Sequence, residues 1–260
     1  MAENSKVAIV TGASQGIGKA TSITLSANYA SLVLVARDEA ALRETASRIK
    51  EESPNTQCLE LPTDLRGKHA PEEVVRRALD RFGKIDAVVN IAGAVPQVNL
   101  LDTTDEQWED GFALKFHGAR RLTISAWPAL KKSGGSVVFI SGNSAELPKA
   151  PFAAVATVNA AIVALSKAFA DQGYEDGIQV NCILPGPVLT NRRQNYLKKW
   201  SSDHGMNIDD AKVHFLKQAR IERYGEAAEI ASFIAYVLSP AARWMTGTAV
   251  RVDGGEVKTI

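Results

Sequence analysis

Short apolar runs alternate along the chain with longer segments in which apolar residues recur at helical spacing. This pattern predicts seven strands separated by six main helices. The predicted strands are Val7–Thr11, Leu32–Ala36, Cys58–Leu61, Ala87–Asn90, Ser136–Ser141, Gln179–Leu184 and Ala249–Val252. The predicted helices are Gly18–Ala30, Glu39–Glu52, Pro71–Phe82, Asp105–Lys132, Pro151–Gln172 and Ala227–Leu238.

Most of the strand runs are apolar at nearly every position, which is typical of parallel strands covered on both faces. Regular alternation of strand and helix predicts right-handed βαβ crossovers and a doubly wound parallel sheet. No repeat or linker divides the chain, so residues 1–260 are expected to form a single α/β domain. The polar stretch Asn191–Gln218 interrupts the alternation and is too long for an ordinary connection, so it predicts a lid insertion at about 191–218.

Composition and charge exclude several classes of partner. Lys and Arg number 30 and Asp and Glu 29, so no net field is expected to attract nucleic acid or a membrane surface. The opening MAENSK is polar, and no apolar stretch approaches the roughly 20 residues of a membrane span. Cys58 and Cys182 have no metal-binding spacing, which predicts free thiols, no metal site and a cytoplasmic location.

A glycine-rich turn follows the first predicted strand and opens the first helix. Its sequence is Thr11-Gly12-Ala13-Ser14-Gln15-Gly16-Ile17-Gly18. Glycines allow a sharp turn and a close backbone approach to a pyrophosphate, and the helix N-terminus supplies free N–H groups. The strand before the turn and the helix after it predict a dinucleotide-binding site of Rossmann type.

Motifs along nearly the whole chain resemble those of the short-chain dehydrogenase/reductase family. Beside the Gly-x-x-x-Gly-x-Gly turn, Asp64 matches the adenine-contacting Asp, and Asn90-Ile91-Ala92-Gly93 is similar to the family's Asn-Asn-Ala-Gly motif. Trp108 opens the fourth helix, and Val252-Asp253-Gly254-Gly255 lies near the end of the chain as in many members. Pro185-Gly186-Pro187-Val188-Leu189-Thr190 resembles the loop that holds the nicotinamide carboxamide. The resemblance implies a nicotinamide cofactor bound by Gly12, Ser14, Gln15, Gly16, Ile17, Gly18, Arg37, Asp64, Asn90, Ala92, Gly93, Asn159, Pro185, Gly186, Val188 and Thr190.

The end of the second strand indicates which nicotinamide cofactor is bound. Relatives that bind NAD usually have an acidic residue there, which accepts from the ribose 2′-hydroxyl. This chain has Ala36 followed by Arg37, and a guanidinium can bind a 2′-phosphate through two hydrogen bonds. The pattern favours NADP(H); the alternative is that Arg37 pairs with the neighbouring Asp38 or Glu39.

The family's catalytic residues are Asn, Ser, Tyr and Lys, and this sequence differs at each aligned position. Lys115 stands at the Asn and Gly142 at the Ser, where Ser141 or Ser144 could replace it if the loop shifts. Val155 stands at the Tyr and Asn159 at the Lys. Because Val155 cannot supply a proton, the resemblance implies that ordinary carbonyl chemistry by the family mechanism is absent.

Three functions remain open on the sequence. The first is an atypical NADP(H)-dependent oxidoreductase acting on a small molecule, with Lys115 and Asn159 as the catalytic candidates and Tyr196 and His204 as proton sources from the lid. The second is an inactive subunit or NADP(H) sensor that supports an active homologue. The third is a protein that binds another small molecule without redox chemistry.

Features that the chain shares with the family also imply assembly. Helices four and five resemble the surfaces through which family members pair, and the fifth is rich in Ala and Val. Small side chains let two helices approach closely. We therefore expect a homo-oligomer, as a dimer or tetramer, or a hetero-oligomer with an active homologue.

Overall fold

The computed structural model of the chain describes residues 5–259. Its strands are β1 (Val7–Thr11), β2 (Ser31–Ala36), β3 (Gln57–Pro62), β4 (Ala87–Asn90), β5 (Ser136–Ile140), β6 (Gln179–Pro185) and β7 (Ala249–Val252). Its helices are α1 (Gly16–Leu25), α2 (Glu39–Glu52), α3 (Ala70–Phe82), α4 (Asp105–Gly111), α5 (Ala119–Ser133), α6 (Ala153–Asp176), α7 (Asn191–Asp203), α8 (Ile208–Ala219) and α9 (Ala227–Val237).

All seven strands pair in parallel in the order β3-β2-β1-β4-β5-β6-β7. The chain runs from β1 outward to β3 and then crosses back to β4 on the other side of β1. This reversal opens a crevice at the carboxyl ends of β1 and β4, where ligands bind in such sheets. The predicted doubly wound parallel sheet is therefore confirmed.

Two apolar cores lie on the two faces of the sheet, and successive residues of one strand enter different cores. Ile9 packs with Leu122 of α5, whereas the next residue, Val10, packs with Leu42 of α2 and Ile234 of α9. All five side chains are fully buried. Burial on both faces explains why the strands are apolar at almost every position.

The predicted helix Asp105–Lys132 is not one regular α-helix. A π-helical segment, Phe112–Gly118, separates α4 from α5. The segment begins after Gly111, whose added Cβ would lie 3.0 Å from Val95, and it ends at Gly118, whose added Cβ would lie 3.0 Å from the Leu65 carbonyl. These close approaches come from tertiary packing, which a helical periodicity does not reveal.

The polar stretch predicted as a lid forms two helices, α7 and α8. Leu197 of α7, Ala211 of α8 and Tyr224 form a small buried cluster between them. The two helices therefore have an apolar core of their own at the edge of the crevice.

By length and composition, one helical stretch of the described chain, Ala150–Asp176, is apolar enough to cross a membrane, and an 18-residue window within it has a mean hydropathy of 1.7. The sequence pattern predicted no such stretch. Ile162 and Ala170 of this helix are buried against the sheet, and core helices of globular proteins satisfy the same criterion.

Candidate functional site

Two cavities adjoin at the carboxyl edge of the sheet. The first, here called the glycine-turn cavity, has a volume of about 430 Å³ and lies over the β1–α1 turn. The second, here called the Lys115 cavity, has a volume of about 500 Å³ and lies between β5, α6 and α7. Both are lined by Ile17, Ile91, Gly93, Thr190 and Arg192. The shared lining makes them two parts of one cleft.

The β1–α1 turn has the geometry of a phosphate cradle. Gly12 and Gly16 have φ values of +69° and +52°, which L-residues rarely adopt. A Cβ at Gly18 would lie 2.0 Å from the Gly12 carbonyl oxygen. No side chain caps the N-terminus of α1, so its first N–H groups are available to an anion.

The hydroxyl of Thr11 holds the next loop in place beside this turn. Its Oγ1 accepts hydrogen bonds from the backbone N–H groups of Ile91 and Ala92 at 2.9 and 3.0 Å. The sequence placed Thr11 at the end of the first strand and at the start of the glycine turn, without assigning its hydroxyl a role. The sequence feature that could have indicated this role is a polar residue at the carboxyl end of an otherwise apolar strand, where the ligand site lies.

The Arg37 side chain lies exposed at the wall of the glycine-turn cavity. Neither neighbouring acid pairs with it: Asp38 caps α2 by accepting from the Ala41 N–H at 3.0 Å, and Glu39 pairs with Arg43. Among the described residues Arg37 forms no salt bridge. Its guanidinium is therefore available to a ligand.

Asp64 also lines this cavity and is held by Arg66. Its Oδ1 accepts from the Arg66 backbone N–H at 3.0 Å and from the guanidinium at 3.3 Å. Arg66 in turn pairs with Asp110 at 2.5 and 2.9 Å. This network fixes the Asp64 carboxylate against the cavity wall.

The structure divides the predicted cofactor residues into three groups. Those that line the glycine-turn cavity are Gly12, Ser14, Gln15, Gly16, Ile17, Gly18, Arg37, Asp64, Ala92, Gly93 and Thr190. Asn159, Pro185, Gly186 and Val188 instead line the Lys115 cavity. Asn90 lines neither: it is buried, and its amide donates to the Thr123 hydroxyl at 3.0 Å. This contact gives Asn90 a role in joining β4 to α5.

Lys115 projects from the π-helical segment into the second cavity. Its Nζ donates to the Ser141 carbonyl at 2.9 Å and to Asn159 Oδ1 at 2.5 Å. No carboxylate of the described residues forms a salt bridge with it. Burial lowers the pKa of the Lys115 ammonium from 10.5 to about 7, and the positive charge of Arg192 contributes in the same direction.

Asn159 connects Lys115 to the loop after β5. Its Nδ2 donates to Ser144 Oγ at 2.8 Å, and its backbone carbonyl accepts from Ser141 Oγ at 2.8 Å. Of the two serines, Ser144 thus places its hydroxyl beside the Lys115–Asn159 pair. The two predicted catalytic candidates lie in direct contact although 44 positions separate them.

Two further wall positions of the Lys115 cavity carry no acid–base group. Val155 packs in an apolar cluster with Val95 and Phe112. A Cβ at Gly142 would lie 2.6 Å from Asn159 Nδ2. The side chain of Asn159 therefore occupies the space that any residue larger than glycine would need at position 142.

Of the two predicted proton sources from the lid, only Tyr196 lines the Lys115 cavity. Burial raises the pKa of its hydroxyl. His204 stacks on Trp200 and lines neither cavity, whereas His214, which sequence reasoning did not select, does line the Lys115 cavity. The histidine that lines the Lys115 cavity therefore comes from α8 and not from α7.

The basic pairs Arg192-Arg193 and Lys198-Lys199 are interpreted from the sequence most simply as solvated surface, with contact to an acidic substrate as the alternative. In the structure the first pair lines the Lys115 cavity. Arg192 donates to the carbonyls of Gly93 and Val95 at 3.2 and 2.6 Å. Arg193 lies over the rings of Tyr196 and Phe215. Helix α7 turns both guanidiniums toward the cleft, which composition alone does not indicate.

Comparisons with known proteins agree with this geometry. A family model described as enoyl-(acyl carrier protein) reductase matches residues 12–256. The 2,3-dihydro-2,3-dihydroxybenzoate dehydrogenase of Bacillus subtilis is 28% identical over 253 residues, covering 96% of this chain and 95% of its own.

Solved structures are also similar over nearly the whole chain. L-Sorbose reductase from Gluconobacter frateurii, complexed with NADPH and L-sorbose, has a TM-score of 0.93 at 30% identity and covers 99% of this chain and 98% of its own. YwfH, an NADPH-dependent reductase involved in bacilysin biosynthesis, has a TM-score of 0.91 at 25% identity, covering 98% and 99%. With the parallel sheet, the glycine turn and the family match in agreement, the chain belongs to the short-chain dehydrogenase/reductase family.

Proposed function

We propose that the chain is an atypical NADP(H)-dependent oxidoreductase that transfers hydride to a small organic substrate and uses Lys115 in place of the family's tyrosine. The observation that carries the proposal is the buried Lys115 ammonium, which reaches the cavity next to the cofactor site and has no carboxylate partner among residues 5–259.

The glycine-turn cavity supports NADP(H) as the cofactor. The free N–H groups of α1 would hold the pyrophosphate, and the guanidinium of Arg37, which pairs with no acid of the described chain, would bind the 2′-phosphate. Asp64 stands at the wall where the adenine would lie. The NADPH complexes of similar reductases support the same assignment. When bound, the reduced cofactor supplies the hydride.

The residues of the Lys115 cavity would supply the positive charge and the proton that the substrate needs when it accepts the hydride. As hydride reaches the carbon of a carbonyl, or of an alkene conjugated to one, negative charge develops on the oxygen. The Lys115 ammonium can stabilise that charge and then donate its proton to the oxygen. A pKa of about 7 suits this exchange at neutral pH, and Asn159 and the Ser141 carbonyl orient the amine.

The test is NADPH oxidation with a panel of ketones and activated alkenes, comparing Lys115→Met with the wild type. We expect the variant to lose about 10²–10⁴-fold in kcat and to keep its affinity for NADPH. The wild-type rate should fall as the pH rises above about 7, because the ammonium is then lost. Lys132→Met, at an exposed position of α5, is the control. An unchanged rate in Lys115→Met would overturn the assignment.

The apolar setting of Val155 favours a second candidate, a subunit or sensor that binds NADP(H) without turnover. Val155 packs among Val95 and Phe112 and offers neither a proton nor a hydrogen bond. Such a protein would bind NADPH through Arg37, show no oxidation with any substrate of the panel, and co-purify with a homologue that retains Tyr and Lys. We propose that α7 and α8 act as a lid in either case.

A further inference from the structure

The Lys115 cavity carries an excess of positive charge. Four of its wall residues are basic, Lys115, Lys149, Arg192 and Arg193, and one, Glu256, is acidic. Lys115 and Arg193 are partly buried, and burying a cation without compensating charge is costly. The walls therefore indicate that a negative group completes the site.

The single carboxylate of the cavity wall is already engaged. Glu256 lies 3.9 Å from the ammonium of Lys149 and accepts a hydrogen bond from Asn143 Nδ2 at 2.6 Å. Its side chain is only 13% exposed. Glu256 thus compensates Lys149, and no salt bridge among the described residues compensates the other three cations.

Arg192 is engaged in a different way. Its two terminal nitrogens donate to the backbone carbonyls of Gly93 and Val95, which joins the start of α7 to the loop after β4. Lys115 likewise donates to the Ser141 carbonyl and to Asn159. These two cations have polar partners even before any ligand arrives.

Among the described residues, the guanidinium of Arg193 forms neither a hydrogen bond nor a salt bridge. Its guanidinium carbon lies 5.1, 4.9 and 5.6 Å from the ring centroids of Tyr196, Phe215 and Tyr224. The rings attract the charge and hold the guanidinium plane, but they do not satisfy its N–H groups. The Nε atom is buried and has no hydrogen-bond partner in the described part of the chain, which is unfavourable unless a ligand accepts from it.

We propose that the substrate of this site carries a carboxylate, which Arg193 binds while the reducible group reaches Lys115. A guanidinium binds a carboxylate through two parallel hydrogen bonds, and the aromatic rings fix the orientation of that fork. The cavity volume of about 500 Å³ suits a small metabolite. The inference that the substrate also carries a reducible group rests on the proposed function, whereas the inference of a carboxylate site does not.

The experiment measures binding by calorimetry for three keto acids of increasing chain length, benzoylformate, 3-benzoylpropionate and 4-benzoylbutyrate, each against its methyl ester. The titrations are made on the whole chain with and without NADPH. Each ester keeps the shape of its acid but lacks the charge. We expect at least one acid to bind about 10–100-fold more tightly than its ester, with a preference that weakens at high salt.

Two variants test the role of Arg193 itself. Arg193→Gln should reduce the acid-over-ester preference by about 10-fold or more. Lys198→Gln, an exposed position of the same helix, should leave the preference unchanged. If Arg193→Gln does not fold, the wild-type measurements still test the carboxylate site. They compare the affinity for each acid with that for its ester and show how this preference changes with salt.

The outcomes separate this inference from the proposed function. Equal binding of acids and esters by the wild type would overturn the carboxylate site, whatever the oxidation rate. An acid preference that Arg193→Gln retains would overturn the assignment to Arg193. Tight, Arg193-dependent binding of an acid without NADPH oxidation would support the carboxylate site and argue against the oxidoreductase.

Discussion

At the scale of residues, the chemistry of the cleft depends on cations that lie in unusual surroundings. Lys115 is held by two oxygen acceptors, and burial brings its pKa to about 7. Arg37 lies at the other end of the cleft and forms no salt bridge with any described residue. The charge of Lys115 therefore changes near neutral pH.

The lowered pKa of Lys115 makes the stability of the fold depend on pH. Between pH 7 and 10.5 the unfolded chain holds a proton at this position that the folded chain has released. The contribution to stability is therefore present above 10.5 and is lost as the pH falls toward 7, by up to about 1.4 kcal/mol per pH unit. Urea unfolding of the wild type and Lys115→Met should show the wild type gaining relative stability from pH 7 to pH 9. A constant difference would mean that the lysine stays charged in the fold.

Arg37 should determine the choice between the two nicotinamide cofactors. Arg37→Gln removes the charge that would face the 2′-phosphate, so we expect NADPH binding to weaken about 10–100-fold. Binding of NADH should change little, since it lacks that phosphate. Fluorescence titration measures both, with Arg43→Gln, whose guanidinium pairs with Glu39, as the control. Equal weakening of both cofactors would refute the assignment.

At the scale of elements, two backbone features place these residues. The β1–α1 turn exposes the N-terminus of α1, and the π-helical segment Phe112–Gly118 carries Lys115. π-Helical turns often occur at functional sites because they shift side chains relative to a regular helix. In the interrupted helix, Lys115 approaches Asn159 of α6 and the loop after β5.

Gly18 should be indispensable to the turn. In Gly18→Ala the new methyl group would meet the Gly12 carbonyl oxygen at 2.0 Å, so the turn and α1 must separate. We expect a loss of stability of about 1–3 kcal/mol together with loss of NADPH binding. Gly67→Ala, whose Cβ has room at 3.4 Å, should keep the affinity for NADPH. Thermal unfolding and titration measure both, and a Gly18→Ala protein that binds NADPH normally would contradict the cradle geometry.

At the scale of the whole molecule, an apolar surface remains outside the two cores. A surface depression of about 570 Å³ lies between α5 and α6 and includes Trp127, Leu165 and Phe169. Ile124 beside them is 50% exposed. Apolar surface of this kind often marks an interface, and we propose that a second copy of the chain covers it.

Oligomerisation through this surface should be sensitive to charge. Light scattering coupled to gel filtration should give the wild type a mass of at least twice the 27.9 kDa of one chain. Ile124→Arg would place a cation in the interface and should shift the protein toward 27.9 kDa. Val213→Arg, which is similarly exposed on α8, should leave the mass unchanged. A monomeric wild type, or an Ile124→Arg variant that stays oligomeric, would exclude this interface.

Local patterns in the sequence determined the order of strands and helices and the position of the glycine turn. Apolar runs such as Val7–Thr11 identify buried parallel strands, and Gly12, Gly16 and Gly18 identify a turn that only glycine can form. These signals are readable because each depends on residues close together in the chain.

Only the tertiary structure decided what the polar side chains contact. Asn90 turns toward Thr123, Lys115 meets Asn159 across 44 positions, and Arg193 lies among three aromatic rings. None of these contacts has a local pattern, because each depends on how distant elements pack at one edge of the sheet. Packing also sets the burial that lowers the pKa of Lys115 and leaves Nε of Arg193 without a partner.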